Sequence, residues 1–402
     1  MSRAVSKLHE NLLLVESIFQ DIRASADSSV DLTYFMERAI INRIFLQAYR
    51  ALEDVVAGDN TYLRGWRRLR DTYFQYIANL TRWFKESEAL VSLFSDNGVT
   101  VMPLKGLLLS HAHYPDKFLR FSHDMDFMFQ DEEDRADAGK LLKARGYRVL
   151  WIRPKAIHYV RHIGRTSLHC DAHVFAESIS PAYEYPKLDG IWEEASKGTI
   201  GDADVLFPRP EHSFLILCLH ASSNGIFSLR DLSDAYHILR GDFDWEIIEK
   251  HAEIAGWRHI LHLPLGIVSV IETTLSDETS VPSSTLKAVG RGSPETDYNR
   301  MLQVLEQRKW GFPVSASSLP FPYLVLNSTH LLRSLAPKSR EPAVLPFRNV
   351  LRAACEIYLC LARVGPDYGN QYGLICMRNW LRTYIPTFPQ NLVHRPMSRG
   401  RG

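Results

Sequence analysis

The stretch FLRFSHDMDFMF, residues 118–129, sets two acidic side chains, Asp124 and Asp126, inside a run of Phe and Met. Side chains alternate between the two faces of a strand, so a strand here puts both carboxylates on one face and Met125, Phe127 and Phe129 on the other. Carboxylates two residues apart on a strand lie about 6–7 Å apart and repel each other. Burying either one is costly unless a partner compensates, and Mg²⁺ prefers oxygen ligands of this kind. The pattern therefore predicts a metal-binding strand.

A third acid is expected on a neighbouring strand, where SLHCDAHVF, residues 167–175, places Asp171 in an apolar run. His169 and His173 alternate with Asp171 and share its face. Upstream, PLKG puts Gly106 after a strand-like run and at the start of a helix. Backbone N–H groups at a helix start attract phosphate, and a residue without a side chain lets the phosphate approach. These elements together predict a site for metal and phosphate.

The pattern of apolar residues along the chain divides it into four regions. At the start of the chain, apolar positions spaced three and four residues apart predict helices, including a long third helix from about Tyr62 to Phe94. After the Asn97-Gly98 turn, the pattern predicts strands that alternate with helices. We expect an α+β fold, in which a small mixed sheet is flanked by an N-terminal helical bundle and a C-terminal helical region. A Ser-, Thr-, Gly- and Pro-rich segment, residues 273–295, is the linker candidate. The predicted regions are an N-terminal helical region at 1–97, the α/β core at 98–180, a helical extension lining the site at 181–272 and a C-terminal helical region at 296–402.

Composition and charge narrow the classes of function. The 47 Lys and Arg residues balance 46 Asp and Glu residues, so no basic excess indicates an extended nucleic-acid surface. The five cysteines form no C-x-x-C pair and are typical of reduced thiols in the cytoplasm. No apolar run reaches the ~20 residues of a membrane span, and the charged N-terminus is unlike a signal peptide. We expect a cytoplasmic protein that binds neither membrane nor nucleic acid; the sequence gives no oligomeric state.

Taken in order, these motifs resemble the nucleotidyltransferases of the polymerase-β-like superfamily. That superfamily has a Gly-containing turn, an acid-apolar-acid strand and a third acid on a later strand. More narrowly, the chain is similar to a bacterial branch of uncharacterised nucleotidyltransferases, over about residues 95–255. The elements that carry this resemblance are LKG at 104–106, YP at 114–115, LRFSHDMDFMF at 119–129, RGYRV at 145–149, CDAHVF at 170–175, and CLHASSNGIFSLRDLSDAYHIL at 218–239 followed by DWEII. Leu107 follows Gly106 where the superfamily has Ser or Gly.

The resemblance implies transfer of a nucleoside monophosphate, or of a phosphoryl group, from an NTP to an acceptor on a small molecule or peptide, as in natural-product biosynthesis. Two Mg²⁺ ions, with Mn²⁺ as the alternative, would be held by the three acids. Asp171 would also help to deprotonate the acceptor hydroxyl. Further roles implied for single residues are phosphate binding by Lys105, Gly106 and Arg120, and orientation of the acceptor by His173, Arg230 and Asp234.

Three other classes of protein remain open at this point. A transferase that modifies RNA or tRNA would share the acids but should have a basic cleft. A non-catalytic NTP-binding or partner-binding protein would tolerate loss of an acid. A zinc-dependent hydrolase would use His169, Asp171 and His173, with His158 and His162 on the partner strand. Simple ion pairs also explain Lys105, Arg120 and the helix that carries Arg230 and Asp234, and Gly106 can be an ordinary helix-entry glycine.

Overall fold

Three helices come first in the computed structural model, which describes residues 13–18, 30–57, 63–153, 156–164, 166–174, 188, 190–224, 228–253, 258–276 and 278–289. Helix α1 begins after Asp31, whose side chain accepts a hydrogen bond from the backbone N–H of Tyr34. The predicted long third helix is confirmed, and it ends at a turn in which Gly98 adopts φ of +72°. These helices are α1, Leu32–Ile41; α2, Phe45–Ala57; and α3, Leu63–Asp96.

A five-stranded mixed sheet follows, as the alternation of strands and helices predicted. Its strand order is β1-β2-β5-β4-β3, and β2 and β5 are its parallel pair. The β4–β5 hairpin turns at Gly164, where φ is +59°. The elements are β1, Val101–Leu104; α4, Lys105–Ala112; a 3₁₀ turn, Lys117–Leu119; β2, Asp124–Phe129; α5, Glu132–Ala144; β3, Arg148–Arg153; β4, Ala156–Ile163; and β5, Thr166–His173.

The two faces of β2 have different environments. On one face, the ring of Phe94 from α3 meets those of Phe127 and Phe129 edge-on, with each pair of centroids 5.5 Å apart. All three side chains are fully buried, which contributes about 1.5–3 kcal/mol each. On the other face, Met128 packs with Met102, Leu104, Ile191 and Ile216. The acids share this second face with Met128, so they lie beside a packed apolar cluster.

The region after the sheet differs from the helical extension that we expected from residue 181. Residues 196–207 form a two-stranded hairpin instead, which turns through Gly201 with φ of +62°. Gly201-Asp202 is a short turn between two strands, a pattern typical of a hairpin. The remaining elements are β6, Ser196–Ile200; β7, Ala203–Phe207; α6, Pro210–Asn224; α7, Leu229–Leu239; α8, Trp245–Glu253; α9, Arg258–Ser276; and α10, Ser283–Val289.

The predicted linker at 273–295 is wrong where α9 extends to Ser276 and where α10 occupies Ser283–Val289. Apart from Ser223 and Asn224, the described residues belong to one compact unit of the chain. The predicted helical region at 296–402 lies outside the described residues. The four domain boundaries stay predictions.

Candidate active site

The register of the sheet brings the acids together. Asp126 of β2 pairs with Asp171 of β5, and Asp124 pairs with His169. On the other side of β2, Asp126 lies opposite Leu104, the last residue of β1. Paired residues on adjacent strands face the same side of a sheet. The predicted proximity of the third acid therefore follows from the strand pairing.

Asp126 is the most enclosed of the acids, with 4% of its surface exposed. Its Oδ1 atom lies 3.2 Å from Lys105 Nζ and 3.1 Å from His173 Nε2. Burial alone would raise the pKa of the Asp126 carboxyl, but the charge of Lys105 and the hydrogen bond from His173 outweigh it and hold this pKa well below its usual range. Asp126 is therefore ionised at neutral pH and is matched by positive charge from the chain itself.

Lys105 reaches Asp126 from an unusual backbone conformation. Its φ is +47°, in the left-handed region that residues with a Cβ seldom adopt. Lys105 is also the first residue of α4, directly after the end of β1. Backbone strain of this kind costs about 1–3 kcal/mol and concentrates at functional sites. The strand-to-helix turn thus aims an ammonium group at the acids, and its predicted contact with phosphate stays a prediction.

Asp171 is hydrogen-bonded to His158, a residue that the sequence analysis considered only for a zinc-dependent hydrolase. His158 Nδ1 hydrogen-bonds Asp171 Oδ1, and the two residues are paired across β4 and β5. The other ring nitrogen of His158 lies 3.0 Å from His169 Nδ1. Trp151 stacks on the His158 ring at 4.7 Å between centroids. These contacts fix the His158 ring against Asp171. Predicting this contact from the sequence would have required the register of β4 and β5.

Asp126, Asp171 and His173 can hold a metal ion together. One ligand atom from each lies within 4.8 Å of the others. The donor set contains two carboxylates, the ligands that Mg²⁺ and Mn²⁺ prefer, and one imidazole, which Mn²⁺ also accepts. Asp124 lies on the same strand face, half-buried, but outside this group. His169, a ligand in the zinc alternative, is also outside it.

Arg120 and Asp234 form a buried ion pair beside the site. Arg120 Nε and Nη2 donate to the two Asp234 oxygens at 2.8 Å each, and Tyr114 donates to the same carboxylate at 2.7 Å. Ser233 lies 2.8 Å from the Tyr114 hydroxyl and accepts a hydrogen bond from Gln47. This network ties the segment before β2 to α7. Tyr114 belongs to the Tyr-Pro element quoted above, whereas nothing in the sequence pattern pointed to Ser233 or Gln47.

The contact between Arg120 and phosphate stays a prediction. Of the three guanidinium nitrogens of Arg120, Nη1 is the one that Asp234 leaves available for phosphate. Arg120 Nη1 is buried and has no hydrogen-bond partner among the described residues. It faces Gly106, because a Cβ added at Gly106 would lie 2.8 Å from Arg120 Nη1 and 2.9 Å from Ser122 Cβ. Close packing with these side chains is enough to require glycine at 106. Arg230 lies 3.5 Å from Asp231, which completes the capping box of α7 with the N-cap Ser228, and so Arg230 is paired within its own helix.

Comparison with known proteins agrees with this arrangement. None of the helices in the described part of the chain has the length and apolar character of a membrane span. No curated protein and no solved structure shows a significant match to the chain. A family model described as uncharacterised nucleotidyltransferase matches residues 28–271, more than half of the chain. This span includes every residue of the candidate site, and the chain therefore belongs to the uncharacterised nucleotidyltransferase family.

Proposed function

We propose that the protein transfers a nucleoside monophosphate from an NTP to an acceptor hydroxyl in a Mg²⁺-dependent reaction. The observation that carries this proposal is the register of β2 and β5, in which Asp126 and Asp171 are paired and Asp124 stands one step further along the same face. The family match supports nucleotidyl transfer in general. The metal, the nucleotide and the acceptor are the proposed additions.

The donor atoms fit the proposed metal. Asp126 and Asp171 would hold one Mg²⁺, with His173 at its edge, and Asp124 would join Asp126 in holding a second. Bound Mg²⁺ would neutralise the triphosphate and stabilise the charge that develops on the leaving pyrophosphate. Mn²⁺ is the alternative ion because it also accepts the imidazole of His173 as a ligand. In the free protein, Lys105 supplies positive charge to Asp126, and on NTP binding its ammonium would turn to a phosphate oxygen.

Residues of the chain can accept the proton that the acceptor hydroxyl loses in the reaction. The acceptor oxygen forms a bond to the α-phosphorus, and the bond from that phosphorus to the oxygen leading to the β-phosphate breaks, releasing pyrophosphate. The hydroxyl proton passes to the Asp171 carboxylate. His158, hydrogen-bonded to Asp171, orients this carboxylate and can share the proton. Asp171 is then the general base and His158 its positioning residue.

The acceptor is proposed to be a small molecule or peptide. A nucleic-acid acceptor would require a basic surface to offset the phosphates, and the formal net charge of the whole chain is only +1. Transfer of a phosphoryl group instead of a nucleotidyl group is the second reaction that the same acids can support.

The proposal is tested by calorimetric titration of ATP, GTP, CTP and UTP, each with Mg²⁺, into wild type and the Asp124→Asn/Asp126→Asn variant. A matched control exists in the chain: Asp202 and Asp204 form a second D-x-D pair, exposed on the β6–β7 hairpin. We expect Mg²⁺-dependent binding of at least one NTP, lost in the first variant and kept in Asp202→Asn/Asp204→Asn. Absence of NTP binding in wild type, or equal binding by the acid variant, would overturn the proposal.

Water can replace the acceptor in a second test. Prolonged incubation of the preferred NTP with the protein and Mg²⁺ should give slow turnover to NMP and pyrophosphate. Formation of NDP and phosphate would assign phosphoryl transfer instead. The acid variant is the control, because contaminating hydrolases would be unaffected by its substitutions.

A further inference from the structure

An aromatic pocket opens beside the acids, between three elements of the N-terminal half. It has a volume of about 120 Å³. The turn from α1 to α2 forms one wall, Tyr76 of α3 a second, and the segment just before β2 the third. Its lining residues are Ile40, Ile41, Arg43, Phe45, Tyr76, Phe121 and His123. Neither the family match nor the proposed roles above assign this pocket a ligand.

The walls are suited to a flat ring. Tyr76 lies edge-on to Phe121 at 5.0 Å between centroids, and His123 lies edge-on to Phe121 at 4.4 Å. Ile40 is 37% exposed and Phe121 is half-buried, so apolar surface remains open to an incoming group. A cavity of about 150 Å³ lined by apolar side chains binds a single benzene ring. The pocket therefore holds one ring system and not a whole nucleotide.

The pocket lies within reach of the proposed metal site. Phe121 precedes Asp124 by three residues, which separates them by about 10 Å at most. Arg43 and His123 both lie within electrostatic reach of the Asp124 carboxylate. A ring in the pocket and a phosphate at Asp124 would therefore lie within a distance that one sugar can bridge.

Arg43 provides a second, independent observation. Its φ is +60°, in the left-handed region where glycine is the residue of least strain. Arg43 is nevertheless an arginine, and it is exposed at the pocket rim. A guanidinium group stacks on a planar ring and donates hydrogen bonds to ring nitrogen and carbonyl oxygen atoms. This conformation closes α1, since the N–H groups of Arg43 and Ile44 donate to the carbonyls of Ile40 and Ala39, and it sets the Arg43 side chain at the pocket rim.

We infer that this pocket binds the nucleobase of the NTP, with Phe121 and Tyr76 contacting the ring and Arg43 binding its edge. The inference rests on the proposed function, since it presumes that the acids hold the triphosphate. It also accounts for the position of the aromatic pocket next to Asp124, where the nucleoside would emerge from the metal site.

The test compares binding of the preferred Mg²⁺–NTP with binding of Mg²⁺–tripolyphosphate, which lacks a base. Two variants remove pocket groups: Phe121→Ala, and Arg43→Gly, which also relieves the left-handed backbone and so should fold. Phe74→Ala is the matched control, because Phe74 is a 59% exposed aromatic on the same helix as Tyr76 and lies outside the pocket.

We expect both pocket variants to lose about 5- to 100-fold in NTP affinity, the range that base–aromatic stacking supplies, and to keep tripolyphosphate affinity within about twofold. The Phe74→Ala control should bind both probes as wild type does. Unchanged NTP affinity in both pocket variants would overturn the inference and leave the proposed function standing. Equal losses for NTP and tripolyphosphate would also overturn it, since the pocket would then act on phosphate. If wild type binds neither probe, the proposed function fails and the inference fails with it.

Discussion

The Arg120–Asp234 pair gives the sharpest test of how the site is held. The side chains are 5% and 1% exposed, and two hydrogen bonds of 2.8 Å join them. Replacing Asp234 with leucine leaves the Arg120 guanidinium buried without its counter-ion, which costs about 3–5 kcal/mol. The same change removes the acceptor of the Tyr114 hydroxyl. We therefore expect Asp234→Leu to lower the free energy of unfolding by about 3–5 kcal/mol.

The measurement is urea denaturation followed by tryptophan fluorescence, with the free energy of unfolding obtained by linear extrapolation. The Arg120→Met/Asp234→Leu double variant removes both charges, and replacement of a buried pair by apolar residues is often neutral or stabilising. It should recover most of the stability lost in Asp234→Leu. Asp137→Asn is the control: it removes an exposed ion pair with Lys140 and should leave the midpoint unchanged.

Two outcomes would refute this reasoning. A loss below about 1 kcal/mol in Asp234→Leu would mean that water reaches Arg120 and that the pair is not buried in solution. A double variant as unstable as Asp234→Leu would mean that the cost comes from misfitting leucine and not from the stranded charge. Either result would also remove the argument that α7 fixes the segment leading into β2.

Three further changes test other parts of the structure by the same denaturation assay. Gly106→Ala should cost about 1–3 kcal/mol, because the new Cβ would overlap the Ser122 side chain and crowd Arg120 Nη1, and adding Ser122→Gly should restore only the part due to Ser122. Glu86→Gln should lower the free energy of unfolding by about 1–3 kcal/mol at neutral pH. Burial raises the pKa of the Glu86 carboxyl, but Arg145 and its neighbours lower this pKa by more, so the stability advantage of wild type is complete above the ordinary value of 4.5 and fades as the pH falls below it. An advantage that grows in acid would contradict the assignment. Asp126→Asn should destabilise the metal-free protein by about 1.5–3 kcal/mol, because Lys105 and His173 lose a charged hydrogen-bond acceptor. A variant more stable than wild type would show that the Asp126 carboxylate is unfavourable without metal.

Local patterns in the sequence were enough to predict the elements that form the site. The apolar alternation in β2, the Asn97-Gly98 turn and the Lys105-Gly106 helix start are each encoded within a few residues. The third acid was also predictable, because Asp171 stands in an apolar, strand-like run in which it alternates with His169 and His173. These signals depend on neighbouring residues, and so they appear in the sequence directly.

Long-range partners were not predictable in the same way. Asp234 lies 114 residues from Arg120, and several acids on the intervening helices could equally have been its partner. The β6–β7 hairpin was missed because its strands have five residues each and β6 is mostly polar, so alternation gave a weak signal. The crowding of Gly106 by Ser122 was not predictable either, because it depends on how the segment folds back, and the predicted phosphate role of Gly106 stays a prediction.

The chain contains two other D-x-D sequences, at 202–204 and 242–244, and burial distinguishes the one at 124–126. Asp202, Asp204 and Asp242 are exposed, where water solvates each carboxylate and no cation is needed. Asp126 is buried, and a buried carboxylate stays ionised only when positive charge accompanies it. The chain provides that charge through Lys105, at the cost of a left-handed backbone at that residue. The Lys105 ammonium contacts Asp126, whereas Asp171 is hydrogen-bonded to the His158 imidazole, so the paired acids still present carboxylate oxygens that a cation can bind. That arrangement, fixed by the register of β2 and β5, is the physical reason to expect metal here and not at the exposed pairs.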